Sequence, residues 1–275
     1  MTDFVQRIQH GFEQREKNGV RYLVIPSFVE AGIEKHCFTT RIGGVSDGVY
    51  ATLNLSRTRE QNPANKKENL KRICDAIGVA YDSLTLVNYA HGDGVYLMDK
   101  NDVGKGITKK TDLPPCDALV IRDGGITAHT LHADCVPLFL LDPIKRVACV
   151  SHAGWRGVYE GITGNIIRLF EQCGCRPRDI LVGIGPHIMP CCFEVQEDVA
   201  RLFIEKFGED VTEVREGRTY VDLQLALLKQ MEQCGLQPEH ITCADLCTYC
   251  REDLFYSHRR DCGKTGAMGS FIAFC

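Results

Sequence analysis

A cysteine and a histidine stand at the outer ends of two adjacent apolar runs in HADCVPLFLLDPIKRVACVSHAGWRG, residues 132–157. The Asp-Pro pair between the runs is typical of a tight turn, so the two runs are predicted to form a β-hairpin. With a two-residue tip beginning at Pro143, Cys135 pairs with His152 and their Cβ atoms lie about 5 Å apart. That separation permits both side chains to bind one tetrahedral zinc ion. A bulged turn would instead shift the pairing by one residue and send one side chain to the other face.

A third metal ligand has two main candidates among the nine histidines. His91 lies in NYAHGDGVY, where the neighbouring glycines allow the backbone to approach a site closely. His132 stands three residues before Cys135, and in an extended strand these two side chains would point to opposite faces. We therefore favour His91, with His132 as the competitor if the strand breaks before Cys135.

The bulk composition argues against several classes of protein. The chain has 275 residues, of which 44% are hydrophobic, and a net charge of −4. Mixed charges of this kind give no sign of a nucleic-acid partner, and no stretch approaches the roughly 18 apolar residues of a membrane span. The opening MTDFVQRIQHGFEQREKNG has no apolar signal region, so the 15 cysteines are expected to be mostly free thiols in a reducing cytoplasm. The sequence carries no signal of the oligomeric state.

The pattern of elements predicts one α+β domain over residues 1–275, with mixed β-sheets packed together and flanking helices. NPANKKENLKRICDAIG is predicted to be a helix, because Asn62 can cap its start and Gly78 can end it. A second helix is expected over VYEGITGNIIRLFEQCG, and two more over VQEDVARLFIEKFG and VDLQLALLKQMEQCG. The segment DLFYSHRRDCGKTGAMGSFIAF is expected to form a hairpin.

Several sequence blocks, taken in order, resemble the YfiH-like family: CFTTRIGGVSDGVYATLNLS, AHGDGVY, HADCVPLFLLDP, SHAGWRG, GIGPHIMPCCFEV and CTYCREDLFYSHRRD. Members of this family were long described as multicopper polyphenol oxidases of the laccase-domain type. They are now described as zinc-dependent purine nucleoside phosphorylases that also deaminate adenosine. The resemblance extends from about residue 33 to residue 273. It implies an α+β fold of mixed sheets, with a purine nucleoside and inorganic phosphate as partners.

The resemblance also implies a ligand set and a reaction. The family's metal ligands correspond by motif to His91, Cys135 and His152, which would hold zinc, with copper as the alternative metal. The implied reaction is phosphorolysis of adenosine, inosine or methylthioadenosine to base plus ribose 1-phosphate, with adenosine deamination as a side activity. Two positions depart from the family pattern: Tyr89 replaces a usual Gln two residues before the first ligand, and Ala267 stands where Arg is common.

Four further residues are candidates for the chemistry. Three protein ligands leave zinc a fourth position for water, which becomes hydroxide near neutral pH and could attack C6 of adenine. Asp134, beside the cysteine ligand, is the nearest proton shuttle in sequence, although an Asp at a turn often caps backbone amides. Arg41 in TRIGG and Arg156, before the helix expected from Val158, are candidates for binding substrate or phosphate. Asn54 in LNLS could bind ribose or base, or cap a turn.

Other classes of protein could use the same residues. A copper polyphenol oxidase is disfavoured, because one set of two histidines and a cysteine, without a Met-bearing copper motif, is too small for a multicopper site. A Cys–His hydrolase would use Cys135 as nucleophile, His152 or His91 as base, and Asp134 to orient the base. A zinc-stabilised interaction module would need a fourth protein ligand to close the site.

A second cysteine pattern lies near the C-terminus. Cys243, Cys247 and Cys250 have the C-x3-C-x2-C spacing of radical iron–sulfur enzymes, but only 25 residues follow Cys250, too few for the barrel of such an enzyme. A structural zinc would need a fourth ligand, for which His258 is the nearest candidate in sequence. The resemblance implies instead that these thiols are not ligands. The adjacent cysteines of GPHIMPCC are expected to line or buttress the active site.

Overall fold

A computed structural model of the chain describes residues 3–56, 58–59 and 62–274, so the two ends of the predicted domain lie outside the described residues. The helices are α1 Asp3–Gln6, α2 Pro26–Glu30, α3 Pro63–Ile77, α4 Trp155–Glu160, α5 Ile162–Gln172, α6 Glu197–Phe207 and α7 Leu223–Gln233. Short 3-10 turns lie at Gly48–Tyr50, Tyr81–Ser83, Lys100–Asp102, Pro177–Asp179, Glu209–Val211 and Pro238–His240. The strands are β1 Gln9–His10, β2 Glu13–Lys17, β3 Val20–Val24, β4 His36–Thr39, β5 Leu84–Leu86, β6 Val95–Leu97, β7 Ala118–Ile121, β8 Thr127–His132, β9 Val136–Asp142, β10 Val147–Ala153, β11 Leu181–Ile184, β12 Glu194–Val195, β13 Thr212–Arg215, β14 Arg218–Val221, β15 Ile241–Cys243 and β16 Met268–Ala273.

The strands form two large mixed sheets and a small antiparallel one. The seven-stranded sheet has the order β1-β15-β11-β9-β10-β7-β6, and the six-stranded sheet has the order β2-β3-β4-β16-β8-β5. The small sheet has the order β12-β14-β13. Each large sheet contains both parallel and antiparallel pairs: β11–β15 and β5–β8 are parallel, whereas β9–β10 and β8–β16 are antiparallel.

Apolar side chains pack in three layers around the large sheets. The two sheets face each other across a layer that includes Phe38 from one and Phe139 from the other. Helices α4 to α7 cover the outer face of the seven-stranded sheet, and α3 covers the outer face of the six-stranded one. This arrangement confirms the predicted α+β fold of mixed sheets with flanking helices, while the assignment to a single domain stays a prediction.

Local signals predict one helix well and another incompletely. Asn62 accepts a hydrogen bond from the amide of Ala64 (3.0 Å) at the start of α3, and Gly78 ends that helix with a φ of 73°, as predicted. The helix expected from Val158 begins at Trp155 instead and is divided into α4 and α5. The division falls at Gly161, whose φ of 103° is left-handed backbone that favours glycine.

The predicted C-terminal hairpin is wrong. The segment 258–263 forms turns, and Arg260 holds this region by donating hydrogen bonds to the backbone carbonyls of Thr248 and Phe255. The chain after these turns enters the six-stranded sheet as β16, where it pairs with β4 on one side and β8 on the other. A strand that is buried and paired on both sides has no free edge for a local hairpin partner.

The connections between the two large sheets position the candidate site. The chain leaves the six-stranded sheet at the end of β8 and enters the seven-stranded sheet at β9, passing through residues 133–135. It makes the same crossing between β5 and β6, through residues 87–94. The two crossings bring Cys135 and His91 near the end of β10, which carries His152. None of the helices in the described ranges is long and apolar enough to cross a bilayer.

Candidate active site

The hairpin of β9 and β10 brings Cys135 and His152 together in a register that differs from the predicted one. Asp142 pairs with Val147 and Pro137 pairs with His152, so the predicted pairing of Cys135 with His152 is wrong by two residues. The cause is a turn of four residues between the strands. The Asp142 side chain stabilises this turn by accepting hydrogen bonds from the amides of Ile144 (2.9 Å) and Lys145 (2.8 Å). A shift of two residues leaves every side chain on its predicted face, so Cys135 and His152 still meet.

Cys135 and His152 form a hydrogen-bonded pair at the end of the hairpin. His152 is buried, and Cys135 is half-buried. Burial lowers the pKa of His152, but the electrostatic interaction with Cys135 and the hydrogen bonds to Asp117 and Cys135 outweigh burial and raise that pKa to about 10. The contacts with Cys135 and Asp117 therefore favour the protonated form of the His152 imidazole.

Asp117 is a residue of the candidate site that the sequence reasoning missed. Its side chain is fully buried, and its Oδ1 accepts a hydrogen bond from His152 Nδ1 at 2.9 Å. Its Oδ2 accepts hydrogen bonds from the amides of Ala90 and Gly92, both at 3.0 Å. Burial raises the pKa of Asp117, but these hydrogen bonds and the His152 charge lower it below its usual range. One carboxylate thus orients the His152 ring and holds the bend that carries His91.

His91 lies on an exposed bend beside the pair. Its backbone has a φ of 56°, and its ring centroid lies 5.1 Å from that of His152. Burial and the His152 charge lower the pKa of His91, which favours the neutral imidazole. Gly157 packs against the same bend so closely that a Cβ added there would lie 2.4 Å from the carbonyl oxygen of Gly92.

The three side chains fit a metal ion by chemistry. Imidazole nitrogens and a thiolate are ordinary zinc donors, and because Asp117 occupies Nδ1 of His152, the Nε2 atom of that ring is left to bind a metal. The ligand atoms of His91, Cys135 and His152 do not all lie within 4.8 Å of one another. Cys135 and His152 are already in contact, so a rotation of the exposed His91 side chain is the movement that would bring all three ligand atoms within reach of one metal ion.

His132, the competitor for the third ligand position, is engaged elsewhere. Its Nε2 contacts the hydroxyl oxygens of Thr130 (2.8 Å) and Ser270 (3.0 Å), and its Nδ1 contacts the carbonyl oxygen of Cys135 (3.2 Å). Burial, with the charge of His152, lowers the pKa of His132 well below its usual value. Both ring nitrogens therefore have partners, and His132 supports the turn that presents Cys135.

Asp134 lies in the crossing beside Cys135, but its carboxylate binds three donors of the C-terminal loops. Its Oδ1 accepts from the Thr248 hydroxyl (2.7 Å), and its Oδ2 accepts from the Ser257 hydroxyl (3.0 Å) and the Arg259 amide (2.7 Å). The predicted orientation of the base by Asp134 is therefore wrong, because the carboxylate that contacts His152 is Asp117. Asp134 lines the cavity and keeps its proton-shuttle role only as a prediction.

Arg41 and Asn54 form hydrogen bonds with backbone groups near the cavity and do not line it. The Nε and Nη1 atoms of Arg41 donate to the carbonyls of Ala51 (3.0 Å) and Glu252 (3.2 Å), and its guanidinium lies 4.6 Å from the centroid of the Tyr256 ring. Asn54 is fully buried, and its Oδ1 accepts from the amides of Ser56 and Ala267, both at 3.0 Å. The turn-capping alternative thus describes Asn54, and neither residue lines the cavity.

Arg156 lies in the first turn of α4, exposed to solvent. Its guanidinium lies 4.3 Å from the centroid of the Trp155 ring. Its charge contributes to lowering the pKa of His91, after burial and the charge of His152. Arg156 therefore lies near the mouth of the site, where a phosphate-binding role stays a prediction.

A cavity of about 620 Å³ surrounds the site. Besides His91, His132, Cys135 and His152 it is lined by Arg59 and Arg259, which the sequence reasoning did not select, and by His258, which it considered only for a structural zinc. Its apolar walls include Tyr89, Trp155, Ile188, Phe193 and Leu223. Cys191 and Cys192, which were expected to line or buttress the site, are not among the lining residues.

Both departures from the family pattern lie on this cavity. Tyr89 packs edge-on against His152, with ring centroids 4.9 Å apart and an angle of 84° between the ring planes. The Tyr89 hydroxyl also accepts a hydrogen bond from the Leu131 amide. Ala267 lines the wall and donates its amide to Asn54. Tyr89 therefore supports the site in two ways, by packing against His152 and by accepting the Leu131 amide.

Comparison with known proteins identifies relatives of this chain. The family model described as multi-copper polyphenol oxidoreductase laccase matches residues 35–275. A protein of Deinococcus radiodurans named purine nucleoside phosphorylase is 38% identical over 238 residues, covering 86% of this chain and 88% of the relative. Purine nucleoside phosphorylase YlmD of Geobacillus stearothermophilus is 32% identical over 240 residues, covering 85% of this chain and 88% of the relative.

Solved structures share the fold. The crystal structure of YlmD from Geobacillus stearothermophilus matches with a TM-score of 0.87 and 31% identity, covering 95% of this chain and 98% of that chain. The crystal structure of the hypothetical protein YfiH of Bacillus licheniformis matches with a TM-score of 0.87 and 27% identity, covering 95% of this chain and 99% of that chain. The resemblance to YfiH-like proteins is thereby confirmed, and the chain belongs to the multi-copper polyphenol oxidoreductase laccase family.

Proposed function

We propose that this chain is a cytoplasmic, zinc-dependent purine nucleoside phosphorylase that acts on adenosine, inosine and methylthioadenosine and also deaminates adenosine. The names of its relatives support the reaction class. The observation that carries the proposal is the contact of Cys135 with His152, which Asp117 orients, with His91 beside them, in a cavity that also presents basic and aromatic side chains. Such a cavity has the size and the mixed lining of a small-molecule site.

His91, Cys135 and His152 would hold the zinc ion, which when bound supplies a Lewis acid that polarises a substrate group and lowers the pKa of water. Asp117 keeps the proton of His152 on Nδ1 and directs Nε2 toward the ligand set. The edge-on ring of Tyr89 limits the movement of His152.

Phosphorolysis requires an anion beside the sugar. A phosphate oxygen forms a bond to C1′ of the ribose while the bond from C1′ to the purine nitrogen breaks, and the electron pair leaves with the purine, which takes up a proton. Arg59 and Arg259 line the cavity, and guanidinium groups bind phosphate well. We therefore assign phosphate binding to Arg59 and Arg259 rather than to Arg41, whose guanidinium is committed to backbone carbonyls.

The aromatic wall provides a surface for the purine. Tyr89, Trp155 and Phe193 line one cavity, and aromatic side chains stack favourably on flat rings. For deamination, a water oxygen adds to C6 of adenine and ammonia leaves, so a group must accept and return a proton. Asp134 is the one carboxylate among the lining residues that the structure describes, and it stays the candidate for that step.

The test is to incubate zinc-loaded protein with adenosine, with and without phosphate, and to separate the products chromatographically. Adenine that requires phosphate, and that is lost in His91→Ala and Cys135→Ala proteins, is the expected result. His10→Ala is the matched control, because His10 is an exposed histidine on β1. Inosine alone, formed without phosphate, would contradict the phosphorylase proposal, and no turnover of adenosine by folded, zinc-loaded protein would contradict both activities.

A second candidate is a Cys–His hydrolase, favoured by one specific observation. Cys135, His152 and Asp117 lie in the order of nucleophile, base and orienting carboxylate, each in hydrogen-bond contact with the next. A thiol-alkylating reagent distinguishes the two candidates. Zinc that protects Cys135 from alkylation while sustaining phosphate-dependent turnover supports the phosphorylase, whereas ester hydrolysis that zinc abolishes supports the hydrolase.

A further inference from the structure

Four cysteine sulfurs meet on the surface away from the lining of the cavity. Cys191, Cys192, Cys247 and Cys250 have Sγ atoms that all lie within 4.8 Å of one another. Across the described ranges, no other group of His, Cys, Asp or Glu side chains meets that condition. The Sγ atom of Cys250 lies 3.7 Å from that of Cys191 and 3.4 Å from that of Cys192.

These separations fit one tetrahedral metal ion. Bonds of about 2.3 Å from zinc to sulfur place the sulfurs of a tetrahedral site roughly 3.8 Å apart. A disulfide would require about 2.05 Å between two sulfurs, which is far shorter than the observed 3.4 and 3.7 Å. An iron–sulfur cluster carries its thiolates on several iron atoms, which sets them farther apart than four ligands of one ion.

Two loops supply the sulfurs in pairs, and the sheet brings the loops together. One loop follows β11 and carries Cys191 and Cys192, and the other follows β15 and carries Cys247 and Cys250. Because β11 and β15 are parallel neighbours, their carboxyl ends leave the sheet at the same edge. His187 continues the pairing beyond the strands, since its amide donates to the Leu246 carbonyl (3.2 Å) and its carbonyl accepts from the Thr248 amide (2.9 Å).

The loops around Cys247 aim backbone amides at its sulfur. The backbone amides of Tyr249 and Cys250 hydrogen-bond to the Cys247 sulfur, as does the amide of Met189 from the other loop. The Arg251 amide donates to the Cys247 carbonyl at 3.0 Å and closes the turn. Amide donors aimed at a ligand atom orient it and stabilise its charged form, as in many metal sites.

We propose that Cys191, Cys192, Cys247 and Cys250 bind one zinc ion in a structural site that is separate from the ligand set of His91, Cys135 and His152. Four protein ligands close the coordination sphere, so this site has no position for water or substrate. Cys243 and His258, which the sequence offered beside Cys247 and Cys250, lie outside this group, and the loop after β11 supplies the other two sulfurs. The proposal departs from the implication of the resemblance that the thiols of this segment are not ligands.

The site would fasten two walls of the cavity to each other. The loop after β11 contributes Ile188 and Phe193 to the cavity lining. The loop after β15 carries Thr248, whose hydroxyl donates to Asp134 at 2.7 Å. Zinc between these loops would therefore hold the cavity in shape without taking part in the reaction.

The first experiment uses cobalt as a coloured substitute for zinc in Cys135→Ala protein, which lacks the only thiol of the catalytic ligand set. We expect one bound Co²⁺ per chain, with thiolate-to-cobalt charge-transfer absorption in the near ultraviolet and the strong red-region bands of a tetrahedral tetrathiolate. Adding Cys262→Ser, which removes another exposed cysteine, should leave the spectrum unchanged. Bound cobalt without thiolate charge transfer, or no bound cobalt, would overturn the proposal.

The second experiment counts zinc. Wild-type and Cys262→Ser proteins should hold two zinc ions per chain, and both Cys135→Ala and the double variant Cys247→Ser/Cys250→Ser should hold one. An unchanged zinc content in the double variant would refute the site. A disulfide among the four cysteines would also refute it, and would be seen as the loss of two titratable thiols in metal-free wild-type protein under denaturing conditions. If the double variant does not fold, the cobalt spectrum still decides. Neither readout needs turnover, so failure of the proposed catalytic function would leave this test valid.

Discussion

Asp117→Asn is the substitution that tests the candidate site most sharply. The Asn side chain has nearly the same shape as Asp, and its amide oxygen can still accept from the amides of Ala90 and Gly92, which share Oδ2. Its amide nitrogen must then replace Oδ1 opposite His152 Nδ1, 2.9 Å away. Because that nitrogen can only donate, His152 must carry its own proton on Nε2, the atom that would otherwise bind the metal.

The expected cost follows from the lost contact. A hydrogen bond to a charged group contributes about 1.5–3 kcal/mol, and about 1.4 kcal/mol corresponds to a factor of ten in an equilibrium constant. We therefore expect zinc affinity to fall by about 10–100-fold, in line with other substitutions of residues that orient metal ligands. Stability should fall by about 2 kcal/mol, because the carboxylate is fully buried and satisfied by three donors.

Competition with a chromogenic zinc chelator measures the affinity, and urea denaturation measures the stability. Asp142→Asn is the matched control, since Asp142 is also buried but lies at the turn end of the hairpin, away from His152. The amide oxygen of the new Asn side chain can accept the same hydrogen bonds from the turn amides, so the turn should persist and zinc affinity should stay unchanged. If Asp117→Asn binds zinc as tightly as the Asp142→Asn protein, the assignment of Asp117 as the residue that orients His152 is refuted.

Three further predictions follow from other contacts. Gly157→Ala should weaken zinc binding at least tenfold in the chelator assay, because its Cβ would lie 2.4 Å from the Gly92 carbonyl oxygen, whereas Gly164→Ala, with open space around it, should not. Burial lowers the pKa of His36 to about 4. Between pH 6.5 and 4 the unfolded chain therefore binds a proton that the folded protein does not, and the free energy of unfolding should fall by up to about 1.4 kcal/mol per pH unit. His36→Gln should flatten this slope in urea denaturation, and an unchanged slope would contradict the assignment. Tyr89→Phe should lower stability by about 1 kcal/mol, since it removes the acceptor of a strand amide; no loss would show that the amide finds another partner.

Much of the secondary structure could be predicted because its signals are local. The start and end of α3 depend on Asn62 and Gly78, which act on backbone within one turn of themselves. The break at Gly161 depends on a left-handed backbone, which a periodic apolar pattern does not report. The position of β16 between two strands far away in the sequence depends on sheet assembly, so the predicted C-terminal hairpin was wrong.

The sequence by itself determined the fold class and the hairpin that carries Cys135 and His152. These follow from apolar periodicity and turn residues, which are properties of short segments. The metal-ligand set that also includes His91 was implied by the family resemblance and stays a prediction. Only the tertiary structure decided that Asp117 holds two of these ligands, that Arg59 and Arg259 line the cavity, and that four cysteines from two loops meet. The physical reason is that these contacts join residues far apart along the chain, and strand pairing and sheet packing bring them together.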